Sequence, residues 1–279
     1  MKKILLPISL RSDFDNALNY ATSIAQKSNA CLYIVVSNSS PVFKHISASI
    51  YTPNEIQQEI VDKISRDTFK QAFHGIIANL NACSLDFRVI VKKANLSKAL
   101  IEVSQEDPFD LIVLPTQYGG KWYQIFNRLK AHKLIGELEA PALIVPKERH
   151  YKEITHIAYA TDLHAYHAKA IQHTKAFAGL FDASLSITHV NEEEEDENEE
   201  YLANLQQTIS DTIDYPKVYY RFFDHNDIMG GIQKFVNLSG TSILAMTNKK
   251  KTSWFQYSEK SLTRKMAQKL SIPLLAFHQ

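Results

Sequence analysis

Cysteine is scarce in this chain: two in 279 residues, Cys31 and Cys83. They stand far apart, in apolar or mixed segments. That excludes a disulfide-stapled scaffold or a Cys-based metal site, and leaves two buried thiols in a reduced compartment as the expectation. An excess of one charge is lacking too. Lys and Arg number 31 against 30 Asp and Glu, a formal net charge of +1, so nothing points to nucleic acid or to a membrane surface. No apolar run reaches the roughly 18 residues of a membrane span. The opening MKKILLPIS is too brief for a signal peptide, lacks a small-residue cleavage site and meets Asp13 and Asp15 at once, so a cytoplasmic protein is expected. Catalytic signatures are missing as well. There is no Walker A loop, nucleophile elbow or catalytic pair, so no enzyme is inferred. His164, His167 and His173 share one candidate helix without a Cys or Glu at metal-ligand spacing, and no metal is expected.

What is present is a repeat. Asp110 to Pro146 reads DLIVLPTQYGGKWYQIFNRLKAHKLIGELEAPALIVP, and Thr241 to Phe277 reads TSILAMTNKKKTSWFQYSEKSLTRKMAQKLSIPLLAF. Each has an apolar run, a polar loop holding a Trp, a helical segment, a Pro and a second apolar run. Pro141 and Pro273 lie 132 residues apart, as do Trp122 and Trp254.

In chain order, Ile4 to Ile8 is a short apolar run that predicts a buried parallel strand. Ala17, Tyr20, Ala21, Ile24 and Ala25 fall at helical spacing, with Ser12 or Asp13 suited to cap the start and Asn29 to end the helix. Leu32 to Val36 is the next strand, completing a βαβ unit. Residues 37–53, polar and holding Pro41 and Pro53, read as loop. Asn54 to Leu80 reads as one long amphipathic helix carrying Ile56, Ile60, Ile64, Phe69, Phe73, Ile76 and Ile77. Leu85 to Val91 suits a strand. Asn95 can cap a helix through Val103, which Asp107-Pro108 ends. Leu111 to Leu114 is a fourth strand, Leu129 to Leu138 a helix, and Ala142 to Val145 a fifth strand.

After a charged bridge, PKERHYK, the pattern restarts. An offset of 153 lays Ile4 to Val36 on Ile157 to His189, and an offset of 131 lays Asn95 on Asn226 and Ile101 on Ile232. Two α/β domains follow, residues 1–147 and 152–279. The length difference falls in the middle, where the second half has a shorter helix, Glu199 to Ile213. Before it stands the acidic run EEEEDENEE, Glu192 to Glu200. It reads either as a cation-binding or partner-docking loop, or as a solvated approach to a helix whose positive N-terminal end favours carboxylates.

The pieces KILLPIS and HIAYATD, FDLIVLPTQ and TSILAMTN, and LIGELEAPALIVP and MAQKLSIPLLAF stand in this order and are duplicated. Together they resemble a tandem universal stress protein over nearly the whole chain. The resemblance implies two tandem doubly wound parallel-sheet domains of five strands, Rossmann-like and of the adenine nucleotide alpha hydrolase kind, paired through their last strands about a pseudo-two-fold axis. It leaves room for a homo-oligomer and a protein partner.

The resemblance also implies a site. Many members of that family bind ATP through G-x2-G-x9-G-[ST] after the fourth strand, helped by an Asp after the first. Glycines let the backbone approach the phosphates, and helix N–H groups bond the oxygens. In the first half those positions fall on Pro115, Tyr118, Arg128 and Leu129, with Ser9 in place of the Asp; every required residue is absent. In the second half they fall on Met246, Lys249, Lys260 and Ser261, with one extra residue in the spacer. Asp162 and Ser261 match, Thr247 keeps a hydroxyl nearby, and Lys249, Lys250 and Lys251 supply cations. The expectation is a first half without ATP. Two functions follow: a stress-response regulatory or interaction protein with no cofactor, or a small-ligand or nucleotide binder, even a weak hydrolase. The second would hold ATP or a small anion through Asp162, Thr247, Lys249, Lys260 and Ser261. Asp162 also reads as a helix cap. The loops of Trp122 and Trp254 read as filling the nucleotide space, as an interface patch, or as local packing.

Overall fold

A computed structural model describes residues 1–8, 14–37, 43–64, 67–115, 138, 140–147, 150–162, 168–191, 207, 213–248, 266 and 271–278. It divides into two compact units, Met1–Tyr151 and Lys152–Gln279.

The first unit runs β1 (Lys3–Pro7), α1 (Asp15–Ser28), β2 (Cys31–Ser37), β3 (Ser49–Tyr51), α2 (Pro53–Ile56), α3 (Asp67–Ala82), β4 (Phe87–Lys92), α4 (Leu96–Glu106), β5 (Leu111–Pro115) and β6 (Ala142–Val145). Its strand order is β3-β4-β2-β1-β5-β6. Every pairing is parallel except that of β3 with β4. The central strands are apolar throughout because a parallel sheet is covered on both faces. Ile4, Leu5 and Leu6 are accordingly all fully buried.

The second unit runs β7 (His156–Ala160), α5 (Ala168–Leu180), β8 (Ser184–Asn191), β9 (Val218–Asp224), α6 (Ile228–Ser239), β10 (Ile243–Asn248) and β11 (Leu274–His278). Its strand order is β9-β8-β7-β10-β11, all parallel. Local details match the first unit. Lys3 pairs with Cys31 as His156 pairs with Ser184. Helix α1 ends on Asn29 at φ 51°, and the residue 153 positions on, Asp182, has φ 53°. A short polar side chain tolerates that left-handed conformation, which turns the chain sharply into the next strand.

Four expectations need correction. Residues 49–51 are not loop: they form β3, antiparallel to β4, with Ile50 opposite Ile90. The long helix over 54–80 is interrupted. Thr52 starts α2 through a capping box, its N–H and hydroxyl both donating to the Glu55 carboxylate at 2.8 and 2.7 Å. A π-helical turn, Gln57–Val61, follows, and α3 begins at Asp67. Ile56, Ile60, Val61 and Ile64 are all buried along this stretch. Third, Asn226 is not the counterpart of Asn95. Asn95 Oδ1 accepts from Lys98 N at 3.0 Å, whereas α6 is capped by Asp227, whose Oδ2 accepts from Gly230 N at 2.6 Å. The offset there is 132, as it is through β5 and β10. Both cysteines are free and half-buried rather than buried. The expected helices at 129–138 and 199–213, the acidic run, Trp122, Trp254 and the caps Ser12 and Asp13 lie wholly or almost wholly outside the described residues.

Candidate functional site

In a doubly wound sheet the strand order reverses at one place, and the diverging chains leave a crevice at the carboxyl ends there. Here the reversal lies between β1 and β5 in the first unit and between β7 and β10 in the second.

In the first unit the described residues at the crevice floor are apolar and buried. Ile8 is buried, and its N–H is spent on Val35 O at 2.9 Å. Pro115 ends β5, buried and paired with Val145. A proline offers no N–H to a phosphate. Ser9, Tyr118, Arg128 and Leu129 lie outside the described residues.

Strand register fixes the frame in the second unit. Ile4 pairs with Leu111 and its counterpart Ile157 pairs with Ile243, so Leu111 matches Ile243, and Thr247, not Met246, stands where Pro115 stands. Spaced from there, the family pattern falls on Thr247, Lys250, Lys260 and Ser261 with no extra residue, correcting the earlier frame of Met246 and Lys249. Met246 is buried in β10. Of the five expected site residues, Thr247 lies in β10 and Asp162 two residues past the end of the neighbouring strand β7. Met246 pairs with Ala160, which sets Thr247 beside Thr161, one residue before the exposed Asp162. Lys249, Lys260 and Ser261 lie outside the described residues, as does Lys251.

The Thr247 hydroxyl is already engaged. Its Oγ1 lies 2.6 Å from the hydroxyl of Tyr159, whose ring is fully buried in β7. The ring of Tyr159 stands 6.4 Å from that of Phe277. Beside it, the buried Thr161 carbonyl lies 2.8 Å from His189 Nδ1. A carbonyl only accepts, so His189 carries a proton on Nδ1. Sequence reasoning missed Tyr159 and His189. Their signal was a tyrosine between two alanines in AYA and a histidine inside the strand SITHV. His173 is exposed on α5, its ring edge-on to Phe277 at 6.1 Å. Among the described residues no cluster of three His, Cys, Asp or Glu stands ready for a metal.

No family model matches the chain, and no curated protein does. Solved structures do. A universal stress protein from Archaeoglobus fulgidus is similar over 99% of this chain and 96% of its own, with TM-score 0.66 and 13% identity. A functionally unknown protein from Pseudomonas aeruginosa matches over 100% and 92%, with TM-score 0.60 and 13% identity. The cytoplasmic domain of a prokaryotic cation chloride cotransporter matches over 99% and 94%, with TM-score 0.53 and 9% identity. At these identities the likeness is one of fold: the chain has the α/β fold of the universal stress proteins along its whole length. No helix among the described residues is long and apolar enough to cross a membrane.

Proposed function

We propose that this chain is a tandem universal stress protein that acts as a regulatory or interaction protein in the stress response, without ATP in its first unit. The observation that carries the reading is Pro115. It occupies the first glycine position of the family pattern, buried at the end of β5 and lacking the N–H that a phosphate needs. Two units with the same order of parallel strands and matching helix ends support a repeat of one domain. Pairing of the two domains through their last strands, and assembly with a further copy or a protein partner, belong to the same proposal. The fold cannot carry the function alone, since it also serves a cotransporter's cytoplasmic domain.

The test is calorimetry of the full-length protein with magnesium and ATP, alongside a Pro115→Gly variant. No saturable heat assignable to the first unit is expected at millimolar ATP. Binding that Pro115→Gly leaves unchanged, but that disappears on Ser261→Ala, would move the nucleotide to the second unit. Saturable micromolar binding insensitive to Ser261→Ala contradicts the proposal.

A second reading is supported by the placing of Asp162 and Thr247 at the carboxyl ends of the adjacent strands β7 and β10. There Asp162, Thr247, Lys249, Lys260 and Ser261 would hold a small anion through side chains rather than a triphosphate along the backbone. The strand register adds Lys250 to that set. Inorganic phosphate titrated into labelled protein should move amides between Thr247 and Thr263, and less so after Ser261→Ala with Lys249→Ala. If no amide in that stretch moves, the anion site does not exist.

A further inference from the structure

The two units differ at a second place, at the other end of the strands from the crevice. In the first unit, Tyr33, Asp107 and Phe109 line a small cavity of about 180 Å³. The rings of Tyr33 and Phe109 meet edge to face at 5.4 Å in its wall. The charges are matched within the corner. Lys3 Nζ lies 2.6 Å from Asp107, and Lys92 Nζ lies 2.6 Å from Glu106.

At the same sheet positions the second unit carries different chemistry. His156 replaces Lys3, Ser186 replaces Tyr33, and Arg221 replaces Ile90. The 132-residue offset puts Ser239 in place of Asp107 and Thr241 in place of Phe109. Two rings have become two hydroxyls. The pocket is about 410 Å³, lined by His156, Ser184, Ser186, Arg221, Phe235 and Ser239 among others.

Its wall is fixed by a relay. His156 Nδ1 lies 3.2 Å from the Ser239 carbonyl, which only accepts, so Nδ1 carries the proton. Nε2 therefore accepts from Ser186 Oγ, 2.8 Å away. Ser239 and Thr241 hydroxyls meet at 2.6 Å. Burial, and secondarily the charge of Arg221, holds His156 below its usual value and keeps the imidazole neutral near pH 7. Arg221 is the lining cation. It donates to Tyr220 O at 2.9 Å and stands 5.8 Å from the Tyr219 ring, and among the described residues no carboxylate pairs with it. That backbone bond uses one of its five N–H donors.

We propose that this pocket binds a small hydroxylated anion, its carboxylate or phosphate on Arg221 and its hydroxyls on Ser184, Ser186 and Ser239. A guanidinium fork suits either anionic group. The Ser186–His156 pair has the hydrogen bond of a nucleophile and its base, but the pocket lacks the rest of an active site. The N–H groups of β8 are spent in its ladders with β7 and β9, and the end of α6 offers carbonyls, so no pair of backbone N–H groups forms an oxyanion hole beside Ser186. Binding is what the geometry supports. It is independent of the crevice and of the function proposed above.

The experiment titrates full-length protein with glucose 6-phosphate and with tartrate, using calorimetry and amide NMR; inorganic phosphate and glucose serve as half-probes. At least one of the two probes should bind saturably, more tightly than either half-probe, and move amides at Ser184–Ser186 and Phe235–Thr241. Arg221→Met, which keeps the apolar stem of an exposed side chain, should weaken binding about tenfold or more. Ser186→Tyr restores the ring of the first unit and should abolish it. If that variant does not fold, Arg221→Met decides alone. No saturable binding of either probe, equal binding by Arg221→Met, or shifts confined to the crevice residues would overturn the proposal.

Discussion

His156 shows how one side chain links the pocket to stability. Its folded-state pKa is depressed, first by burial and then by Arg221, while hydrogen bonding to Ser239 pulls the other way. The unfolded chain therefore binds the proton more readily, and stability rises with pH across this window. The contribution is fully present above the unfolded value near 6.5. It is lost as pH falls through the lower folded value. Urea unfolding of wild type and His156→Asn at several pH values between 7.5 and 5, roughly the span over which histidine titrates, checks this. Wild type should lose more stability on acidification than the variant, because Asn keeps a donor for the Ser239 carbonyl but does not titrate. Parallel pH profiles would mean that His156 does not carry the effect. Cys31 shows the same physics with a thiol. Burial, then the carboxylate of Asp86, pushes it up to about 11, so it is protonated and unreactive at neutral pH.

At the scale of elements, the caps distinguish the true alignment of the halves. Asn95 and Asp227 each accept an N–H in the first turn of a helix. Replacing either with Ala should cost about 0.5–2 kcal/mol, whereas Asn226→Ala should be near neutral. Thermal unfolding of the three variants measures it, and a large loss at Asn226 would restore the 131-residue offset. The central strands were legible because each is a short apolar run bounded by polar residues, whereas β9, the mixed run VYYRFFD, was not. Asn29 and Asn95 announced a helix end and a helix start. What was not legible depended on partners distant in sequence. Strand β3 is too short to show alternation and exists because the outer side of β4 accepts it. The π turn, Gln57–Val61, leaves the spacing of Ile56, Ile60 and Ile64 compatible with a regular helix, so the residue pattern holds no sign of it. In the crevice, Asp162 and Thr247 could be placed from sequence. The Tyr159 bond to Thr247 could not, because it joins residues 88 apart on different strands.

At the scale of the molecule, the end of the first unit is set by side chains that composition hides. PKERHYK reads as a charged bridge, with a domain ending at residue 147. Yet Tyr151 stands against α1. Its ring meets that of Tyr20 edge to face at 4.9 Å, and its hydroxyl lies 2.6 Å from Ser23 Oγ. Asn16 Nδ2, also on α1, donates to Pro146 O at 2.6 Å and guides the segment as it leaves β6. A unit that carries its own sheet and core is expected to unfold cooperatively when expressed as residues 1–151. Residues 1–147 keep the Asn16 bond but lose the ring contact and the hydroxyl bond. An aromatic pair contributes about 0.5–1.5 kcal/mol and a hydrogen bond a similar amount, so the shorter fragment should be less stable by about 1–3 kcal/mol. Urea midpoints of the two fragments measure the difference, with Tyr151→Ala in the longer one separating the side chain from the added length. If that variant unfolds at the midpoint of the shorter fragment, Tyr151 is the clasp that ends the unit. If all three share one midpoint, the segment after Pro146 is only a linker.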